Sequence, residues 1–319
     1  MNFADRLIAA TKIKKSHVVV GLDPRWSALP PQLKTTATVH NELGPQAAAL
    51  AFYQFGRAII DAVHDVAVAI KPQLAFYEQY GPWGMHALVQ TVEYARQQGL
   101  LVIADAKRGD IGSTAVAYAQ AYIGGLAATD EPAWSLQADA VTVNAYLGSD
   151  GVNPFVQAGA ATGSGIFALV KTSNQSSGEL QDQLIEGEPV YAKMARMVNA
   201  WGKDLVGNEG YSSVGAVVGA TYPEEAAQLR QLMPQAIFLV PGYGAQGGSA
   251  QDVLPAFNPD GLGAVVSSSR GIIFAYQQDP QYGAEEYADA ARAAAIRMRD
   301  DINHALATRL DHGDVHLDQ

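Results

Sequence analysis

The sequence contains no cysteine, and this absence excludes several kinds of chemistry at once. A chain without thiols has no disulfide framework, no cysteine-ligated zinc site and no thiol nucleophile. The absence suits a reducing compartment, so we expect a cytoplasmic protein. Charged residues are also scarce, at 17% of the chain, whereas about 25% is usual.

Long apolar runs are missing as well. No stretch approaches the roughly 18 apolar residues that a membrane-spanning helix needs. Asp5 and Arg6 come early and no apolar core follows them, so we expect no secretion signal. The net charge of -11 disfavours binding to nucleic acid, because phosphate backbones are repelled. A small anionic ligand remains compatible with this charge, since a few cations inside a pocket outweigh the average.

The chain does contain enough apolar residues for a large core, at 48% of 319 residues. No shift in composition marks a boundary, so we expect one domain over residues 1–319 with a polar tail from about 311 to 319. Eight short apolar runs predict strands buried on both faces. They are Val18–Asp23, Val66–Lys71, Leu100–Asp105, Asp139–Asn144, Gly165–Lys171, Val214–Val218, Ala236–Val240 and Gly263–Ser267.

Helical patterns separate these runs, and the alternation implies parallel βαβ units. The predicted helices are Gln46–His64, Glu78–Gln98, Ser113–Ile123, Tyr191–Gly207, Glu224–Met233 and Glu285–Ala307. Eight strands favour an α/β fold of the (β/α)8 TIM-barrel type. A doubly wound open sheet is the alternative, although the turn after the first strand has no glycine-rich dinucleotide fingerprint.

Three further segments complete the expected architecture. Phe3–Lys12 predicts an extra helix ahead of the first strand. Pro24–Pro45 and Thr172–Glu188 are predicted to be extended βα loops. Loops of this length are usually functional, and the second one follows a strand at the end where barrel active sites are built.

The third predicted strand ends in Asp105-Ala106-Lys107-Arg108-Gly109-Asp110. Side chains alternate across a strand, so Asp105 and Lys107 are expected to share the face at the mouth of the barrel. Lys71 ends the neighbouring strand and needs carboxylate partners if its stem is in apolar surroundings. A solvated acidic and basic turn is the simpler interpretation of one such motif. Two strand ends of this kind favour a cluster of lysine and aspartate side chains.

Glycine-rich segments follow the last two predicted strands. They are Pro241-Gly242-Tyr243-Gly244-Ala245-Gln246-Gly247-Gly248 and Ser267-Ser268-Ser269-Arg270-Gly271. Backbone N–H groups in such loops, together with an arginine and an amide, form a cradle for phosphate. Ordinary turns explain either loop alone, whereas the pair lies where barrel phosphate sites cluster. The seven histidines are scattered without metal-site spacing, and we expect no metal.

These motifs resemble those of the orotidine 5′-phosphate decarboxylase family, in its longer bacterial form. The resemblance covers all eight predicted strands and includes GLDP at 21–24, Lys71, DAKRGDIGST at 105–114, KTSN at 171–174, PGYGAQGG at 241–248 and SSSRG at 267–271. It implies a cytoplasmic enzyme of pyrimidine biosynthesis that converts orotidine 5′-phosphate to UMP without a cofactor.

The resemblance also implies roles for individual residues. Lys107 would protonate C6 of the pyrimidine after carbon dioxide leaves, and Asp105 would face the substrate carboxylate. Lys71 would hold Asp105 and a ribose hydroxyl. Asp110, followed by Thr114, would reach into the active site of a partner in a homodimer.

The remaining implied residues are substrate contacts. Asp23 would bind the ribose, Ser173 the pyrimidine edge, and Gln246 with Arg270 the 5′-phosphate. Two other functions are kept as alternatives. A metal-dependent sugar-phosphate lyase of the same superfamily would carry an acidic residue in place of Lys71. A barrel that binds a nucleotide without catalysis would keep the phosphate residues and lose the lysines and aspartates.

Overall fold

The computed structural model describes residues 1–40, 42–124, 134–244 and 247–313. Within these residues, eight parallel strands close into a barrel whose neighbours run β1-β2-β3-β4-β5-β8-β9-β10 and back to β1. The barrel strands are β1 Val18–Leu22, β2 Ala69–Pro72, β3 Leu101–Arg108, β4 Ala140–Val143, β5 Gly165–Lys171, β8 Ser212–Val218, β9 Ala236–Pro241 and β10 Ala264–Ser268. A small antiparallel hairpin joins β6 Leu184–Ile185 to β7 Glu188–Pro189. The expected TIM barrel is confirmed, and the open sheet is excluded.

Helices surround the barrel as the alternation predicts. In the described residues they are α1 Phe3–Lys14, α2 Pro31–His40, α3 Pro45–Val63, α4 Ala75–Glu78, α5 Gly81–Gln97, α6 Gly112–Ile123, α7 Ser149–Thr162, α8 Val190–Gly202, α9 Pro223–Leu232, α10 Ala250–Val253, α11 Arg270–Ile273 and α12 Tyr287–Gly313. No helix among them is long and apolar enough to cross a membrane. The polar tail expected from 311 starts inside the last turn of α12, and 314–319 lie outside the described residues.

Two differences from the predicted elements have local causes. The segment 24–45 contains α2 as well as loop. This helix was not predicted, because its alanine and threonine residues give little helical periodicity of apolar side chains. Helix α7 is absent from the prediction because it is rich in glycine and alanine and contains Pro154. Its buried face is nevertheless helical in spacing, with Val152, Phe155 and Ala158 in the core.

Helix α1 closes the lower end of the barrel, opposite the carboxyl ends of the strands. The side chain of Asn2 caps it by accepting a hydrogen bond from the Asp5 backbone N–H at 2.9 Å. Phe3 and Leu7 are buried and belong to a core cluster with strand residues from around the barrel. The Phe3 ring meets the Phe167 ring edge-on, with centroids 5.7 Å apart. The predicted extra helix is therefore confirmed, and it completes the lower core.

Leu7 tests this closure. We expect Leu7→Ala to lower the free energy of unfolding by about 2–5 kcal/mol, because it leaves a cavity among buried side chains. Ile13 lies on the same helix but is 81% exposed, so Ile13→Ala is the control, with a change within about 0.5 kcal/mol. Urea unfolding of both variants makes the comparison. Equal losses would show that α1 is not part of the core.

Candidate active site

A cavity of about 480 Å³ opens at the carboxyl ends of the strands. This is the end of a TIM barrel where active sites are built, and the volume suits a small-molecule ligand. Its lining includes most of the residues singled out from the sequence: Asp23, Lys71, Asp105, Lys107, Ser173 and Arg270. The fold thus brings these six side chains together from five different strand ends. Gln246 lies outside the described residues.

Asp105 is at the centre of the polar cluster on the cavity floor. Lys71 Nζ donates to its Oδ2 at 2.6 Å, and Lys107 Nζ donates to its Oδ1 at 2.5 Å. Gln73 Nε2 donates to Oδ2 at 3.1 Å, and Thr142 Oγ1 donates to Oδ1 at 3.0 Å. Each carboxylate oxygen of Asp105 accepts two hydrogen bonds, so the carboxylate is fixed in position. We call Lys71, Asp105, Lys107 and Asp23 the Lys–Asp array.

Strand register explains how the array forms. Strand β1 pairs with β2 so that Gly21 is opposite Lys71, and Gln73 forms a bridge to Asp105 at the end of β3. Because Ile70 is opposite Val102, Lys71 lies two residues before the position opposite Asp105, and its long side chain spans this offset. The expectation that Asp105 and Lys107 share a face is met by their contact.

Lys107 reaches Asp105 from a strained backbone. Its φ is 49°, in the left-handed region, which costs a residue with a side chain roughly 1–2 kcal/mol. The pairing of β3 with β4 shifts between Ala104 and Arg108, and the Lys107 N–H donates to Thr142 Oγ1 at 2.9 Å. This irregularity turns the Lys107 side chain towards the cavity, where it remains 44% exposed. The ammonium is accordingly held by Asp105 and open to a ligand.

Charge coupling keeps the buried members of the array ionised. Burial alone would lower the pKa of Lys71, but the charges of Asp105 and Asp23 raise it above the ordinary value for lysine. Burial opposes ionisation of Asp105, yet Lys71 and Lys107 hold its pKa well below the ordinary range. The floor of the cavity therefore carries fixed charges of both signs at neutral pH.

Two members of the floor escaped the sequence analysis. Gln73 is two residues beyond Lys71, so strand alternation could have found it on the same face. Thr142 is a polar residue in the otherwise apolar run of β4, which is a second usable signal. Asp23 was predicted, and its Oδ1 is buried with no hydrogen-bond partner among the described residues. A buried acceptor of this kind is suited to a hydroxyl donor from a ligand.

The glycine-rich loop after β9 borders the cavity with Gly242 and Tyr243. Gly242 and Gly244 have φ values of 105° and 71°, which residues with side chains rarely adopt. The loop closes on itself, since Gly244 N–H donates to Gly248 O at 2.8 Å and Gly248 N–H donates to Gly242 O at 3.2 Å. The glycines are thus required by the shape of the turn.

Arg270 lies beside this loop, at the end of β10, with an exposed side chain that lines the cavity. The approach of β1 to this strand end depends on Gly21. A Cβ at position 21 would lie 1.9 Å from Ser269 Oγ, which real structures do not allow. Gly21, the glycine of the GLDP motif, therefore allows the ends of β1 and β10 to lie close together next to Arg270.

Asp110 and Thr114 lie outside the cavity of their own chain. Asp110 Oδ1 accepts a hydrogen bond from the Ile111 N–H at 2.8 Å, and Thr114 is exposed on α6. Among the residues that the structure describes, no group of three or more histidine, aspartate or glutamate side chains is arranged to hold a metal ion.

The chain is similar over most of its length to known proteins of one family. The model of the orotidine 5′-phosphate decarboxylase / HUMPS family matches residues 16–287. The chain belongs to this family. It is 47% identical over 305 residues to the orotidine 5′-phosphate decarboxylase of Rhodopirellula baltica, covering 95% of this chain and 99% of that protein. The resemblance expected from the sequence is confirmed.

Two further relatives extend the agreement. The orotidine 5′-phosphate decarboxylase of Caldicellulosiruptor bescii is 38% identical over 307 residues, covering 96% of this chain and 100% of that protein. The solved structure of Leishmania donovani OMP decarboxylase superposes with a TM-score of 0.72 at 31% identity, covering 96% of this chain and 100% of that one. Family and fold therefore agree over nearly full length.

Asp105→Asn tests the charge coupling. The substitution leaves Lys71 buried without a full counterion, so we expect the free energy of unfolding at pH 7 to fall by about 3 kcal/mol. Because the pKa of Asp105 is lowered in the folded state, its contribution is complete above the unfolded value near 4 and is lost as the pH falls below it. The difference between variant and wild type should shrink in that window.

Urea unfolding at pH 7, 5 and 3 measures this difference. Asp65→Asn is the control, because Asp65 pairs with Arg292 at 2.6 Å where both side chains are well exposed. We expect that variant to lose less than about 1 kcal/mol. A difference for Asp105→Asn that stays constant down to pH 3 would contradict the coupling.

Proposed function

We propose that the chain decarboxylates orotidine 5′-phosphate directly, without a cofactor, and that Lys107 protonates C6 of the product. The observation that carries this proposal is the buried carboxylate of Asp105 held between the Lys71 and Lys107 ammonium groups. A site of this kind combines a fixed negative charge, which repels a substrate carboxylate, with a proton donor beside it.

The reaction class rests on the family. The chain is an enzyme of the carboxy-lyase class, as expected from the sequence, because relatives of that name match it over nearly their whole lengths. Its place is in pyrimidine biosynthesis. The metal-dependent lyase is disfavoured, since Lys71 stands where that group would carry an acidic residue. The non-catalytic barrel is disfavoured by the complete Lys–Asp array.

The cavity supports a nucleoside monophosphate as ligand. Arg270 and the N–H groups of the loop at 242–248 suit a phosphate on one side. Asp23 offers its unpartnered oxygen to a ribose hydroxyl on the neighbouring strand end. Ser173 lines the cavity after β5, where it would meet the pyrimidine edge. Gln246 is proposed as a second phosphate ligand from the sequence alone.

The chemical step breaks the bond between C6 and the carboxylate carbon. The electron pair stays on C6, carbon dioxide leaves, and an N–H of Lys107 delivers the proton to C6. Lys107 is then reprotonated from solvent. No carbonyl adjoins C6 to delocalise the charge, so stabilisation must come from the enzyme, and a preorganised ammonium supplies it.

Asp105 contributes through repulsion. Two carboxylates 4 Å apart repel by roughly 4 kcal/mol at an effective dielectric constant of about 20. The low pKa of Asp105 keeps it charged, so the contact is not relieved by protonation. The repulsion disappears as neutral carbon dioxide forms, and binding of the remote phosphate offsets it in the bound substrate.

A homodimer completes the proposed site. Ile111, Tyr146 and Leu147 are exposed apolar residues, with Tyr146 76% exposed. They lie beside Asp110, since a Cβ on Gly151 would be 3.0 Å from Asp110 O and 3.3 Å from Leu147 Cβ. An apolar patch of this kind is typical of an interface. We propose that a second copy covers it and receives Asp110 and Thr114 at its own cavity.

Two broader expectations belong to the same proposal. One domain over residues 1–319 is supported by α1 and α12, which pack against the core from the two ends of the chain. The cytoplasmic location stays a prediction from the absence of cysteine.

Lys107→Ala tests the function and the role of the lysine. We expect the wild-type chain to consume orotidine 5′-phosphate in the presence of a chelator, followed by absorbance. The variant should lose on the order of 10³-fold or more in kcat, because proton donor and electrostatic stabiliser are removed together. UMP binding, measured by calorimetry, should survive.

The exposed Lys203 gives the matched control, Lys203→Ala, which should retain wild-type turnover. Wild-type chain that does not turn over the substrate, or does so only without chelator, would refute the cofactor-free reaction. An active Lys107→Ala enzyme would refute the role of Lys107.

Mixing two inactive variants tests the shared site. In a dimer of Asp105→Ala and Asp110→Ala chains, one of the two sites has both aspartates. At equal amounts and free exchange of subunits, about a quarter of wild-type activity should return. The measurement is turnover before and after mixing, with each variant alone as control. If no activity returns although the subunits exchange, Asp110 either acts in the site of its own chain or is not part of an active site.

A further inference from the structure

A second ion pair, between a buried lysine and a half-exposed aspartate, lies beside the cavity and outside the Lys–Asp array. Lys171 is the last residue of β5, and its side chain has 0% exposure. Its ammonium pairs with the carboxylate of Asp182, which belongs to the segment 172–189 that leads into α8. A buried ammonium deprived of its counterion is strongly unfavourable. The segment is therefore held to the end of β5 by this ion pair.

Two tyrosine rings enclose the same ammonium. Lys171 Nζ is 4.3 Å from the ring centroid of Tyr222 and 5.5 Å from that of Tyr191. Such cation–π contacts strengthen when the cation is desolvated. Tyr191 is on α8 and Tyr222 follows β8. We call Lys171, Asp182, Tyr191 and Tyr222 the Lys171 clamp.

The clamp also holds the first half of the segment. Ser177, which is buried, donates from Oγ to the Tyr222 hydroxyl at 3.1 Å. That hydroxyl donates to the Asn174 carbonyl at 3.4 Å. The segment is thus attached at residues 174 and 177 to Tyr222, which follows β8, and at residue 182 to Lys171 of β5.

Residues of this segment line the cavity. Gln181 Oε1 accepts from the Thr172 N–H at 2.9 Å, and Gln181 Nε2 donates to Thr172 Oγ1 at 2.7 Å. Thr172, Ser173 and Gln181 all border the cavity, beyond the carboxyl end of β5. Gln181 precedes the anchored Asp182 directly. The position of Asp182 therefore sets that of Gln181, and Gln181 sets that of Thr172.

We propose that Lys171 is a positioning residue that holds Thr172, Ser173 and Gln181 in place through Asp182 before a ligand enters. This proposal rests on the proposed function in one respect: the residues so held face the base of the nucleotide. Because Thr172, Ser173 and Gln181 are already held in place, they lose little conformational entropy when the ligand binds. The clamp therefore increases affinity for the base and leaves binding of the phosphate unchanged.

Lys171→Met tests the clamp, since it keeps the length of the side chain and removes the charge. We expect KM for orotidine 5′-phosphate and Kd for UMP to rise about tenfold while kcat stays within about threefold, because the lost contacts act equally on ground and transition states. The inhibition constant of ribose 5-phosphate, which has no base, should not change. Asp182→Asn should have the same effect and is the safer variant to fold, because Asp182 is 46% exposed.

Lys193→Met is the matched control. Lys193 on α8 also pairs with a carboxylate of the segment, Glu186, at 2.9 Å, but Glu186 is 85% exposed. We expect no change in any constant. Parallel weakening of UMP and ribose 5-phosphate binding by Lys171→Met would show a general structural role and overturn the proposal. Unchanged UMP binding in both clamp variants would overturn it as well.

Limited proteolysis separates this proposal from the proposed function. Leu180 and Leu184 are exposed in the segment and are sites for chymotrypsin. Without substrate, cleavage there should be at least about fivefold faster in Lys171→Met and Asp182→Asn than in wild type and Lys193→Met. Equal cleavage rates would refute the clamp even if the enzyme is active. If cleavage is faster in the two clamp variants but the wild-type chain has no decarboxylase activity, the clamp is supported and the proposed function is refuted.

Discussion

Lys71 and Lys107 share one buried carboxylate, and the mouth of the barrel is organised around that contact. Removing Asp105 from water is unfavourable by itself, and the two ammonium groups with Gln73 and Thr142 compensate for it. The same contact holds Lys107 in a left-handed backbone conformation that an isolated strand would avoid. Stability, geometry and the proposed chemistry therefore depend on the same four hydrogen bonds. A site built in this way has its charges in place before the substrate arrives, which is the condition for electrostatic catalysis.

Two buried lysines at the cavity have different tasks. Lys71 belongs to the floor, where its partner Asp105 is itself buried. Lys171 belongs to the rim, where its partner Asp182 comes from a segment with an exposed outer surface. The first pair connects neighbouring strands and makes the floor rigid. The second connects a strand to a chain segment of few core contacts, so its strength determines how firmly that segment is held. The same type of interaction thus makes the floor rigid in one place and holds a loop segment in the other.

Much of the fold could be predicted from the sequence, because buried parallel strands are short apolar runs and eight of them recur along the chain, most of them separated by helical patterns. Alternation along β3 placed Asp105 and Lys107 on one face, and the end of β2 placed Lys71 beside them, whereas Asp23 followed only from the resemblance to the family. The Gln181 contact could not be found this way, since it depends on the path of a long loop without periodicity. Helix α7 escaped because glycine and alanine bury little surface. The left-handed Lys107 had no local signal, because it lies in the stretch where the pairing of β3 with β4 shifts.

The closure of the barrel by α1 has a consequence for how the chain acquires its structure. Phe3 packs on Phe167, and the Ala4 N–H donates to Ser213 Oγ at 3.3 Å, across 209 residues of chain. Contacts of such high sequence separation form late and slow the folding of a domain. During synthesis, α1 leaves the ribosome before β5 and β8, so its apolar side stays uncovered until these strands follow. Helix α1 is in this sense translated before its packing partners and reaches its place only after them.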